Sequence, residues 1–241
     1  MSVNKLPRSG NHKGFVRGVR EKSIRLSDSN SWRSTSTLLS DFSETIPHAR
    51  LKGYLSKAGG NKSLANELYS WDLDISSALW RHFNVLEIGL RSALSLQLVN
   101  MSPSVNWWLN ENLLLQSEKS KIAALGDKNG TPFSQDEIIS RLTLGFWASL
   151  LSKKYHQRLW QAGLEDAFPN FQGKRRDFHM KLERLRKLRN RIAHHEPIID
   201  REINLDLNLI VEVCGTLDRR IESWIGADKR VDKILARYPT I

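Results

Sequence analysis

An all-α fold, an irregular helical bundle, is predicted by three features of the sequence. Apolar residues recur at three- and four-residue spacing along most of the 241-residue chain, and no segment alternates cleanly at period two. Helix stop and start signals, chiefly glycines, prolines and short polar caps, fall between those apolar runs. An apolar content of 40% is enough for one sizeable core, so a single domain over residues 34–241 is expected.

Residues 1–33 stand apart. They are polar and basic, with Lys5, Arg8, Lys13, Arg17, Arg20, Lys22 and Arg25 against Glu21 and Asp28, and read as a disordered basic arm. Beyond them a helix near 49–57 ends at Gly59-Gly60. A second near 63–70 leads to Asp74, the expected N-cap of a long helix running to about Val99. That helix carries Leu79, Phe83, Leu86, Leu90 and Leu94 on one side. The pair Trp107-Trp108 and a short helix over 117–125 precede the turn-rich stretch DKNGTPFSQD. Ser134 with Glu137 forms a capping box, opening a helix expected to continue through LTLGFWASLL. A strong helix spans about 175–195, closed by Pro197, whose ring disfavours helical geometry at Glu196. Helices near 205–225 and 228–237 complete the chain.

No run approaches the ~20 apolar residues that a bilayer-spanning helix needs, and the first residues lack the apolar core of a signal peptide. A cytoplasmic protein without membrane association is therefore expected. The single cysteine, Cys214, lies in the apolar pattern LNLIVEVCGTL and reads as a buried structural thiol; neither a disulfide framework nor a cysteine metal site follows from it. The formal net charge of +11 calls for a polyanionic partner.

That charge concentrates in KRRDFHMKLERLRKLRNRIAHHEP. At 100° per residue, Phe178, Leu182, Leu185, Leu188 and Ile192 make one apolar stripe that must face the core. Arg189 falls within it. A guanidinium beside a core-facing stripe loses hydration and requires an anion. Glu87 on the other long helix, one turn before Arg91, is the internal candidate, and a phosphate gripped bidentately is the external one. His194 shares a face with Asn190, whereas Arg189 and His194 are about 140° apart on an ideal helix. They converge if the helix loosens at its end, or if two copies of it meet across a symmetric dimer.

These groups suit RNA cleavage by internal transesterification. A base removes the 2′-OH proton, the oxygen attacks the adjacent phosphate, and a cation stabilises the developing charge, with no metal required. His194 is the expected acid/base, Arg189 the phosphate-stabilising cation, and Asn190 a holder of the imidazole or of a phosphate oxygen. Arg184, Arg186, Lys187 and Arg191 are the expected RNA contacts. Glu87, Arg91 and His195 are supporting residues. The competing reading of the same residues is a terminal histidine and a capping asparagine without chemistry. His194-His195-Glu196 is a poor metal set, since adjacent histidines diverge by about 100° on a helix and no His-Glu-x-x-His occurs. No cofactor is expected.

RNRIAHHEP at 189–197 resembles the Arg-x4-His motif of the HEPN superfamily, with Asn190 as the polar residue after the arginine. LYSWDLDISSALWRHFNVLEIGLRSAL at 68–94, LTLGFWASLL at 142–151 and YHQRLW at 155–160 are similar, in order and spacing, to blocks of its Abi-like branch, the abortive-infection proteins. The resemblance covers about residues 45–240. It implies a HEPN-type all-α fold and a homodimer that joins two motifs in one composite ribonuclease site. It further implies a toxin or phage-defence effector held silent by an antitoxin protein or a small regulatory RNA. Arg91-Ser92 departs from the Arg-Asn that related members often carry, which touches the residue after Arg91 and leaves Arg189, Asn190 and His194 intact. The alternatives are a non-catalytic RNA-binding or regulatory HEPN module, and DNA binding through the arm and the basic helix.

Overall fold

Asn61 begins the element on which the rest of the molecule is built. The computed structural model describes residues 46–127 and 130–240, all within the compact unit Thr35–Ile241; the expected basic arm lies outside the described residues. The first helix, α1 (His48–Lys57), stops where Gly59 and Gly60 take positive φ of 59° and 86°, a backbone region glycine enters without steric cost. Asn61 then caps the next helix by accepting a hydrogen bond from the Leu64 amide at 3.2 Å.

That helix, α2 (Lys62–Asn100), runs unbroken for 39 residues, about 58 Å at 1.5 Å per residue. The separate helix expected over 63–70 and the N-cap expected at Asp74 are thus corrected. No Gly or Pro separates Tyr69 from Ile75, and the apolar positions 68, 71, 75 and 79 keep one helical stripe across the supposed boundary. Leu68, Ile75, Leu79, Phe83, Leu86, Leu90, Leu94 and Leu98 all lie on this stripe and are fully buried.

After the buried Trp107 come α3 (Gln116–Ala123) and α4 (Gln135–Arg141), the latter opened by the predicted Ser134/Glu137 capping box. Its expected continuation through 142–151 does not occur. Leu142 is extended, and Thr143 caps a new helix, α5 (Leu144–Ser149), by accepting from the Phe146 amide. Two short 3-10 helices, Lys153–Tyr155 and Leu164–Ala167, with a π-helical turn over His156–Trp160 between them, lead to α6 (Arg175–Ala193), the basic helix. The single helix expected over 205–225 is two, α7 (Ile203–Leu217) and α8 (Arg219–Gly226). Asp218 takes extended backbone between them and accepts from the Arg220 amide. The helix α9 (Arg230–Leu235) follows.

Among the described residues there is no strand, and the fold is all-α. The long helix α2 packs against α1, α5, α6, α7 and α9, so it is the axis of the bundle. Trp107, Phe146 and Trp147 form an aromatic cluster at its C-terminal half, with the two indoles 6.0 Å apart. Cys214 is buried in α7, and burial pushes its thiol up to about 12. No described helix is long and apolar enough to cross a membrane.

Candidate functional site

The apolar stripe of α6 behaves as its periodicity requires: Phe178, Leu182, Leu185, Leu188 and Ile192 are all buried. This orientation brings Arg189 to the edge of the core against α2, where its side chain is 24% exposed. Arg189 Nε donates to Glu87 Oε1 at 2.6 Å, and the guanidinium carbon lies 5.0 Å from the centre of the Trp80 ring. The other carboxylate oxygen of Glu87 accepts from Arg91 Nη2 at 2.5 Å, while Arg91 Nη1 donates to the Ser140 carbonyl at 3.2 Å. One buried carboxylate thus orients two guanidinia, leaving a group of net positive charge.

The manner of this pairing decides what Arg189 can do. Only Nε is engaged, and the two terminal Nη groups, neither of them buried, have no hydrogen-bond partner among the described residues. Glu87 and Trp80 fix the plane of the guanidinium while its outer edge stays open. Such an edge presents the two parallel N–H donors that match a pair of phosphate oxygens.

His194 is held differently. The helix stays regular through Ala193 and closes in a Schellman turn. His194 is the C-cap, its amide bonded to the Asn190 carbonyl at 2.9 Å. The His195 amide reaches the Ile192 carbonyl at 3.0 Å, and the Glu196 amide the Arg191 carbonyl at 2.8 Å. His195 has φ 57°, the left-handed region that most residues with a β-carbon avoid. The loosened helix end that would let Arg189 and His194 converge is therefore replaced by a tight one. His194 is exposed, and no hydrogen bond involving its ring is found among the described residues. Asn190 is half-buried on the same helix.

The remaining predicted residues divide. Arg184 is engaged by the buried Asp206 at 2.6 Å and by Glu202 at 3.3 Å, and Arg186 by Glu183 at 2.8 Å. Arg191 stands 3.7 Å from Glu196. Lys187 is exposed and makes no ion pair among the described residues, so it is the one member of the set fully available to a polyanion. His195 lines a groove of about 360 Å³ with Leu73, Ser77, Trp80 and Ile192. Trp80 is shared between this groove and the Arg189 guanidinium. No group of three or more His, Cys, Asp or Glu able to hold a metal occurs among the described residues.

Sequence reasoning passed over four residues here. Trp80 packs against the core with one part and, half-buried, lies under Arg189. Asp72, 5% exposed, accepts from the Tyr54 hydroxyl at 2.8 Å and from the Ile198 amide at 2.9 Å. Arg50 donates to the carbonyl of His195. A charged residue one turn before Ser76, within a buried helical stripe, was the available signal for Asp72. No family model, no curated protein and no solved structure matches the chain.

Proposed function

We propose that the chain is a metal-independent endoribonuclease of the Abi-like branch of the HEPN superfamily, acting as a cytoplasmic homodimer in abortive infection or as a toxin. The observation that carries this reading is the half-satisfied Arg189. Its Nε is fixed by Glu87 and its guanidinium lies over Trp80, while both Nη groups are left open near the end of the most basic helix among the described residues.

In the reaction, a 2′-OH loses its proton to an imidazole, the oxygen attacks the adjacent phosphorus, and the 5′-oxygen departs with a proton. The products are a 2′,3′-cyclic phosphate and a 5′-hydroxyl. Arg189 neutralises the extra charge on the phosphorane oxygens, Asn190 orients a phosphate oxygen or the imidazole, and His194 transfers protons. Since one tight helix end separates Arg189 from His194, a second subunit supplies the convergence. The exposed Leu73 and the groove beside Trp80, on α2, offer apolar surface on which the second copy packs. Lys187 and the open edges of the two Arg189 side chains draw the RNA strand.

Cleavage of a mixed single-stranded RNA pool in EDTA tests the proposal. Wild type is expected to give cyclic-phosphate ends, and His194→Ala to lower the rate by at least about 100-fold. Arg189→Lys, which keeps the charge but loses the planar fork, is expected to recover only a small part of what Arg189→Ala loses. The second reading, a non-catalytic RNA-binding module, draws on the solvent-facing His194 within one subunit. Salt-dependent RNA binding by a wild type that leaves the strand intact would establish it instead.

A further inference from the structure

The segment that follows α6, residues 194–200, has no regular structure of its own, yet it is tied down at residues 195, 198, 199 and 200, from α1 and from Asp72 of α2. Arg50, Tyr54 and Lys57 of α1 are spaced i, i+4, i+7 and so stand in one row. The first donates to the His195 carbonyl. The second donates to Asp72 at 2.8 Å, which in turn accepts from the Ile198 amide at 2.9 Å. The third reaches the Ile199 carbonyl at 3.4 Å and the Asp200 carboxylate at 2.5 Å. All the partners lie more than 120 residues apart in sequence except the Tyr54–Asp72 pair.

A helix needs no such device to end. A Schellman turn satisfies its own carbonyls, and glycine at its left-handed position would hold it at lower cost than His195. A residue with a β-carbon persists there only when surrounding contacts over-determine the backbone. Burial pushes the Asp72 carboxyl up, although the Ile198 amide, Tyr54 and Arg191 work against it. A buried carboxyl group is therefore used, inside the bundle, to fix one backbone amide four residues after an exposed imidazole.

We infer that Tyr54 and Asp72 are positioning residues for His194. Acting through the Ile198 amide, with Arg50 on the His195 carbonyl, they set the direction in which the imidazole leaves the end of α6. This rests on the nuclease reading above, since it assigns the fixed direction a use. The chain is short: the Tyr54 hydroxyl donates to Asp72, Asp72 accepts from the residue 198 amide, and the turn from 194 to 198 is hydrogen-bonded at both ends. Arg189 is oriented separately by Glu87, so a fault in this clamp moves the imidazole and spares the phosphate-binding guanidinium.

The test uses the full chain and two readouts: steady-state RNA cleavage, and the ring resonances of His194, assigned by their loss in His194→Ala. Asp72→Ala is expected to split or broaden the His194 signals and to lower kcat by about 10- to 100-fold, with KM unchanged within about twofold. Asp72→Asn keeps an oxygen for the Ile198 amide and is expected to restore a single His194 conformation and most of kcat. Tyr54→Phe, which removes only the hydroxyl, should fall between them. A folded Asp72→Ala with unshifted His194 resonances, or with kcat equal to that of an active wild type, overturns the inference. Should Asp72→Ala fail to fold, Tyr54→Phe decides on the same two readouts. If wild type does not cleave RNA, the nuclease reading fails, and the resonances alone decide whether the clamp fixes the imidazole.

Discussion

Glu87 shows how one buried carboxylate serves two ends. With a side chain 9% exposed it would be costly alone, but it accepts from both Arg189 and Arg91. Removing it leaves two like charges facing each other at the rim of the core. Glu87→Ala is expected to cost about 2 kcal/mol of stability, less than a fully buried pair would because both guanidinia keep some solvent. It should also free Arg189 to swing, lowering RNA cleavage more than Arg91→Ala does. Chemical denaturation and initial rates measured on the same preparations check both parts. The Glu87–Arg189 pair was legible in the sequence, because a helical stripe places residue 189 on the inward side and few carboxylates are in reach. The Tyr54–Asp72–Ile198 link was not. Periodicity tells which residues face inward, but not which inward polar atoms find each other across 126 residues. By sequence Asp74 reads as the cap, whereas Asp72, two positions earlier, is the one the fold uses.

Among the helices and turns, what the sequence hid is where a helix breaks without glycine or proline. Leu142 and Asp218 both leave helical geometry in mid-pattern; Thr143, the residue after Leu142, and Asp218 itself cap the helices that follow. Such breaks are settled by tertiary packing, since the local propensities on either side remain helical. The turn-rich middle of the chain is pinned instead by Glu118 of α3. Its buried carboxylate accepts from the Tyr155 hydroxyl at 2.6 Å and from Lys154 Nζ at 2.9 and 3.0 Å, with Ser117 at 2.7 Å. Burial alone would raise this carboxyl, but these hydrogen bonds outweigh it and hold it down at about 2. The folded value lies below the ordinary 4.5, so the stabilisation is complete above about pH 4.5 and is lost as pH falls towards 2. Glu118→Gln is expected to lower Tm at neutral pH and to flatten the acid limb of the Tm-against-pH curve. An acid limb identical to that of wild type would show that the other carboxylates set it.

For the molecule as a whole, the question is how a regular helix with a tight end brings groups about 140° apart to one phosphate. In the proposed homodimer a two-fold axis passing near α6 would answer it, because each subunit would then offer its own open Arg189 edge to the other's His194. The groove beside Trp80 and the exposed Leu73 lie on the same side of α2 as Glu87, whereas the exposed Leu96 is about 180° round the helix from it, so the proposed pairing would draw on the Trp80 side. Pairing carries an electrostatic cost, because each chain brings a formal charge of +11 and low salt strengthens the repulsion. Under the proposed function, bound RNA would offset it by neutralising both copies at once. The dimer is accordingly expected to weaken as salt is lowered without RNA, and to tighten when a non-cleavable RNA carrying 2′-deoxy residues is added. Sedimentation at a series of salt concentrations, with and without that strand, reads both effects. In the same range, the specific activity of dilute enzyme should rise with protein concentration until the dimer is saturated, then level off. A protein that sediments as a monomer throughout while cleaving RNA at a constant specific activity would show that one subunit suffices, and that His194 reaches the phosphate by a movement of the 194–200 turn.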